Sequence, residues 1–100
     1  MYQASTPTDI FTVNDISLIK DVTVTYLQNR KIVIEKTLKD LKVSGNSILH
    51  ELTQEETLSF SHLAKVRIEL LFLTNENKVI PKVFDNIPVE EIINKKVYNV

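Results

Sequence analysis

Histidine and carboxylate side chains are the groups in this 100-residue chain that could do chemistry, since it has no cysteine and only one glycine. His50 falls in the alternating phase of Ile48 and Leu52, so its ring points partly inward if that run is a strand. Service as a general base or a metal ligand would need a second His, a Cys or a carboxylate at workable spacing. Glu51 lies on the opposite face of the same run, and His62 sits in a polar stretch without a partner. Both histidines therefore read as structural. Asp40, Glu51, Glu55, Glu56, Glu69 and Asp85 are the acids from which a glycosidase pair could be drawn. Their spacing singles out no pair, and Glu55 and Glu56 are explained by helix capping and solvation. The serines lack the strand–turn–helix setting of a nucleophile elbow. Gly45 alone cannot build a phosphate loop, which needs several glycines for close backbone approach. The expectation is a non-enzyme with no catalytic residue, no metal and no cofactor.

The charge balance narrows the partners. Twelve Lys and Arg stand against thirteen Asp and Glu, a net charge of −1. The basic residues are dispersed, densest at Arg30-Lys31 and Lys95-Lys96, so no surplus is available for a phosphate backbone. Nucleic acid is not an expected partner. The N-terminus has neither the basic nor the apolar region of a signal peptide. Leu70-Leu71-Phe72-Leu73 is the longest apolar run, far short of the ~20 residues that cross a bilayer. No membrane contact is expected, and the absence of cysteine fits a reducing cytoplasm.

These side chains would have to be positioned by short strands. Val22, Val24 and Tyr26 alternate with Thr23, Thr25 and Leu27, break at Gln28-Asn29-Arg30-Lys31, and resume at Ile32-Val33-Ile34. That is a hairpin within Val22 to Leu38. Ile10 to Val13 reads as a first strand, and Ile16 to Asp21 as a helical turn or an irregular crossing. Leu38 to Val43 is ambiguous between a strand end and a helical turn. Ser44-Gly45-Asn46-Ser47 is a turn leading to a strand over Ile48–Leu52. Thr53-Gln54-Glu55-Glu56 has the form of a capping box, with Leu58 and Phe60 on the apolar side of the helical turn it starts. Lys65 to Leu73 and Val79 to Phe84 are two more strands. Pro81, which cannot donate to a ladder, must lie at an edge, a bulge or a strand start. Ile87-Pro88-Val89 is extended. Residues 90–97 admit a helix or an extended tail, and Val97 to Val100 an edge strand. Residues 1–8 and 95–100 read as loose.

About six or seven short strands with frequent turns predict one domain over residues 1–100, an all-β antiparallel immunoglobulin-like sandwich with one or two helical turns. The alternative is an α+β fold in which residues 53–62 and 88–97 are helices on one sheet. Apolar residues exceed what a small two-layer domain hides easily. Leu71, Leu73, Ile87, Val89, Ile92 and Ile93 are core on the ordinary reading and a subunit interface on the functional one. A small carbohydrate- or ligand-binding module would instead need an aromatic platform, for which Tyr26 and Tyr98 would have to be exposed on one face. A hydrolase would need two acids converging in a cleft.

Three stretches carry a family likeness. They are Thr6-Pro7-Thr8 with Phe11-Thr12-Val13, then Ser17 to Gln28, then Leu52 to Phe60. In these the chain resembles short proteins of gut Firmicutes and their phages or prophages. The likeness runs from Thr6 to Leu73 and weakens from Pro81 onward. It implies a β-sandwich virion component of the tail, baseplate or head decoration, found in the virion or the bacterial cytoplasm. Its implied partners are further copies of itself or other virion subunits, and no catalytic residue carries over.

Overall fold

Alternation along Ile19–Gln28, strand β2, puts Val22, Val24, Tyr26 and Gln28 in the interior. The computed structural model, which describes residues 1–98, builds outward from this strand. A two-residue turn at Asn29-Arg30, both at positive φ (52° and 64°), reverses the chain into β3, Lys31–Thr37. Positive φ at both central residues gives the turn the twist that suits a tight hairpin. The other flank of β2 pairs antiparallel with β6, Val66–Thr74, and β6 pairs with β7, Val79–Ile87. The four-stranded sheet thus runs β3-β2-β6-β7.

The second sheet has three strands. β1 (Thr8–Thr12) and β4 (Lys42–Ser44) flank β5 (Ser47–Glu51), all antiparallel. Between the sheets, Phe11, Ile48 and Leu52 meet Val22, Val24, Tyr26, Val66, Ile68, Leu70 and Phe72 in one core. The chain is an antiparallel β-sandwich, as its alternation predicts.

The two ambiguous stretches resolve into turn followed by strand. A 3-10 turn at Ile16–Leu18 leads directly into β2, and another at Leu38–Asp40 precedes β4. The predicted capping box is present: Thr53 Oγ1 accepts from the Glu56 N–H at 3.1 Å, and Glu56 Oε1 accepts from the Thr53 N–H at 2.9 Å. The helix it starts, α1, spans only Gln54–Leu58. Its buried residue is Thr57, not Leu58, because the Thr57 hydroxyl turns inward and donates to the Ser5 carbonyl at 2.9 Å.

The N-terminal segment, expected loose, is tied to the end of the sandwich. The Gln3 N–H donates to the Glu90 carbonyl at 3.0 Å, and the Glu90 N–H donates to the Met1 carbonyl at 2.7 Å. Buried Gln3 also donates through Nε2 to the Phe60 carbonyl at 2.6 Å. This pairing explains why residues 90–97 form no helix: Glu90 is already bridged to the N-terminus, and Val89 is anchored in the core. With α1 so short and the second helix absent, the α+β alternative falls. Val97 and Tyr98 are not in a strand, while Asn99 and Val100 lie outside the described residues.

Pro81 resolves to an edge. The Thr74 N–H donates to the Lys78 carbonyl, which makes 72–80 and 70–82 the hydrogen-bonded pairs of the β6–β7 ladder. Residue 81 therefore turns its backbone away from β6, and its missing N–H faces the outer edge.

Truncating the centre of this core should be costly. Leu70→Ala should lose about 2–5 kcal/mol in urea unfolding. Ile32→Ala, at an exposed β3 position, should stay within about 0.5 kcal/mol of the parent.

Candidate functional site

The fold gathers chemistry-bearing side chains in two places and apolar ones in a third. The first is inside the sandwich. Tyr26, on β2, is fully buried, and a phenol cannot be left dry without partners. Its hydroxyl donates to Asp9 Oδ2 at 2.5 Å and lies 2.9 Å from His50 Nδ1. Asp9 comes from β1 and His50 from β5, so both partners belong to the opposite sheet. With the phenolic proton directed at Asp9, Nδ1–H donates to the hydroxyl oxygen and Nε2 keeps its lone pair. Beyond it, Glu56 Oε1 stands 4.0 Å from His50 Nε2, and Glu56 Oε2 pairs with Lys36 Nζ at 3.2 Å.

The proton affinities in this chain are set by burial and by neighbouring charge. Burial, helped by the hydrogen bond to Asp9, raises the Tyr26 phenol well above its ordinary range. Burial also lowers His50, although Glu56 opposes the shift. For Glu56 burial pushes upward, but the Thr53 N–H and the Lys36 ammonium outweigh it and hold the carboxylate low. A phenol this reluctant to ionise is no nucleophile, and a neutral imidazole sealed behind it reaches no substrate. The arrangement is a structural bolt between the sheets.

The second gathering is at the surface. Arg67 Nε donates to Glu69 Oε2 at 2.8 Å and its terminal nitrogen to Asp85 Oδ2 at 3.0 Å. The group lines a depression of about 650 Å³ with Arg30 and Lys65. Two acids do meet here, but both accept from one guanidinium. The apolar wall that would keep one of them protonated for acid catalysis is missing. Glu51 and Glu55 are exposed on separate elements, and Asp40 caps its own 3-10 turn by accepting from the Thr37 N–H. His62 finds a partner that the sequence hid: its Nε2 lies 3.4 Å from Glu91 Oε2, in an exposed contact. Among the described residues no cluster of His, Asp or Glu is arranged to hold a metal ion. No helix there is long and apolar enough to cross a membrane.

The third gathering is apolar. Leu71 and Leu73 alternate with the buried face of β6 and so project from the outer face of the four-stranded sheet. Leu71 stands opposite Pro81 and Thr23, Leu73 opposite Val79, and Glu69 opposite Val83. Leu71 is 49% exposed, and Val79 and Val83 are exposed beside it. These residues form one continuous patch. The other candidate interface residues do not join it. Val89 is a core residue, Ile87 and Ile92 are half-buried, and Ile93 stands alone on the tail at 97% exposure. Val79, Pro81 and Val83 escaped the sequence reading, although an apolar outward phase in a strand is the signal that marks them. Of the two tyrosines needed for an aromatic platform, Tyr26 is buried. Tyr98 instead lines a shallow cavity of about 390 Å³ with Tyr2.

Comparison with known proteins gives the class. No family model and no curated protein matches the chain. Among solved structures it is similar to the Ig-like domain of mouse leukocyte-associated immunoglobulin-like receptor 1, crystallised as a strand-swapped dimer. The TM-score is 0.50 at 10% identity, over 92% of this chain and 84% of that one. The likeness is one of fold, and the chain is an immunoglobulin-like sandwich. In antibody domains of this architecture a buried Trp packs against a disulfide that joins the two sheets. Here, without cysteine, the Tyr26 hydrogen bonds make the inter-sheet link.

The bolt should be visible in stability. Tyr26→Phe leaves Asp9 and His50 without their partner and should cost about 1–3 kcal/mol. Because the folded-state pKa of His50 lies below its unfolded value, the unfolded chain binds the extra proton first. Its contribution should be intact above about pH 6.5 and fall as the pH drops through the lowered folded value. Urea midpoints between pH 7.5 and 5 should show this slope in the parent and lose it in His50→Gln.

Proposed function

We propose that the chain is a non-enzymatic assembly module, a phage or prophage virion component of the tail, baseplate or head decoration. It docks on neighbouring subunits through the outer face of its four-stranded sheet. The observation that carries this reading is the patch of Leu71, Leu73, Val79, Pro81 and Val83. Sheet faces turned to water ordinarily alternate to polar residues, and contiguous apolar surface marks protein contact sites. The patch continues onto uncharged Thr23, and charged groups border it on several sides: Asp21 opposite Leu73, Glu69 between Thr25 and Val83, Glu35 opposite Thr25, and Arg67 and Asp85 beyond. That is the apolar centre and polar rim of an interface. The family resemblance supports the virion setting. The strand-swapped dimer of the similar Ig-like domain supports association as a use of this architecture.

The test is a particle preparation. In virions purified from a phage that encodes the chain, mass spectrometry should find it in fixed ratio to the other particle proteins. Leu71→Lys combined with Val83→Lys should reduce that ratio at least tenfold, with stability within about 0.5 kcal/mol per substitution. Absence of the unmodified chain from the particles would sink the virion reading. Full retention of the double variant would move the contact off this face.

A further inference from the structure

The two sheets are unequal, and the mismatch leaves a slot one strand wide. β7 lies at the end of the four-stranded sheet and β1 at the end of the three-stranded one. Residues Ile80, Lys82 and Phe84 of β7 share the phase of buried Phe72, Leu70 and Ile68, so they face the second sheet. Nevertheless Ile80 is 51% and Phe84 37% exposed. Phe11 of β1 reaches the Phe84 ring, with centroids 5.9 Å apart, and no strand of the described residues lies beyond β1. Two cavities, of about 340 and 530 Å³, run along this opening between β1 and β7.

The backbone of β1 faces the same opening with free groups. The Val13 N–H donates to the Asn46 carbonyl and the Leu52 N–H to the Pro7 carbonyl, so the odd residues of β1 are its hydrogen-bonded partners to β5. Thr8, Ile10 and Thr12 therefore turn their N–H and C=O groups outward. Native sheets guard such edges with charge, proline or brevity. β3 carries Lys31, Glu35 and Lys36, β4 has three residues, and β7 has Pro81. The outward residues of β1 are two threonines and an isoleucine. This edge is unguarded.

We propose that the slot takes an extended segment of another polypeptide as an added strand on β1. The segment's inward side chains read apolar, acidic, apolar, to lie against Ile80, Lys82 and Phe84. Lys82 fixes the central acid, because its ammonium projects into the slot, 5.4 Å from the Phe84 ring centroid, and no carboxylate of the described residues pairs with it, while Asp15 lines one end of the slot and Asp9 and Asp85 the other. A second folded copy cannot pair edge to edge here, because the overhanging β7 occupies the space where that copy's own β6 would lie. Main-chain ladder bonds supply affinity and the alternate side chains specificity, as in other strand-addition complexes. The proposal rests on the assembly reading but uses a different surface from the patch around Leu71.

The probe is a synthetic peptide, Thr-Val-Thr-Glu-Thr-Val-Thr, titrated into the full chain and followed by amide NMR and hydrogen exchange. Saturable binding should protect the N–H groups of Thr8, Ile10 and Thr12. Replacing the peptide's Glu with Lys, or introducing Ile80→Lys in the protein, should weaken binding at least tenfold. Leu71→Lys should leave it unchanged, so loss of particle docking and loss of strand binding are separable. No saturable binding at millimolar peptide, or binding indifferent to Ile80→Lys, would overturn the proposal. Self-association of the chain without peptide, abolished by Ile80→Lys, would assign the slot to a second copy's segment and overturn it equally.

Discussion

The Tyr26 hydroxyl is the constraint on which the rest of this sandwich depends. Apolar side chains in two facing sheets can slide past one another with little change in buried area, because the hydrophobic effect has no direction. A buried phenol has direction. It must find partners within hydrogen-bond distance, and in this chain Asp9 and His50 are supplied by the opposite sheet. One side chain therefore fixes how β2 sits over β1 and β5. Glu56, 4.0 Å beyond the imidazole, separately ties α1 to Lys36 of β3. A disulfide would act on the unfolded state as well. This bolt acts only in the folded state.

Fixing the stack also fixes where the sheets fail to overlap. Three strands cannot cover four. The uncovered strand is β7, whose inner phase then meets solvent where a further strand could lie. The outer phase of the same strand continues the Leu71 patch, so β7 is exposed along nearly its whole length. Its apolar residues serve two surfaces, with Val79 and Val83 outward and Ile80 and Phe84 inward. An isolated strand with this composition would invite edge pairing. Pro81 removes the outward donor at its middle and directs any pairing to β1 instead.

Much of this was legible in the residues, where the code is local. Alternation located the strands because burial on one face imposes a period of two. The capping box appeared where Thr53 and Glu56 stand three apart. His50 was placed inward by its phase, yet its partner Tyr26 came from β2 in the opposite sheet, and no local pattern encodes that stacking. Asp9, one residue outside the predicted first strand, gave no sign of its role. The C-terminal segment misled for a related reason. Its charge order suits a helix, but Glu90 is claimed by Met1 and Gln3 from the far end of the chain. Leu71 and Leu73 were identifiable as surplus apolar residues. Their companions on β7 carry the same apolar alternation, but that they lie beside Leu71 and Leu73 follows only from the cross-strand register, which is a tertiary fact.

The two recognition surfaces differ in what they can discriminate. A flat apolar face reads shape and is indifferent to backbone direction, which suits packing against another folded subunit. The slot beside β1 offers a ladder and one cation, Lys82, between Asp15 at one end and Asp9 and Asp85 at the other, so on the proposed reading it would select an extended backbone with a central acidic position. Both lie on β7, back to back across one strand, and neither needs the other's residues. A module with this geometry can hold a folded neighbour on one side and a flexible segment on the other. On the proposed reading the two components would be linked at a distance set by the thickness of one sheet.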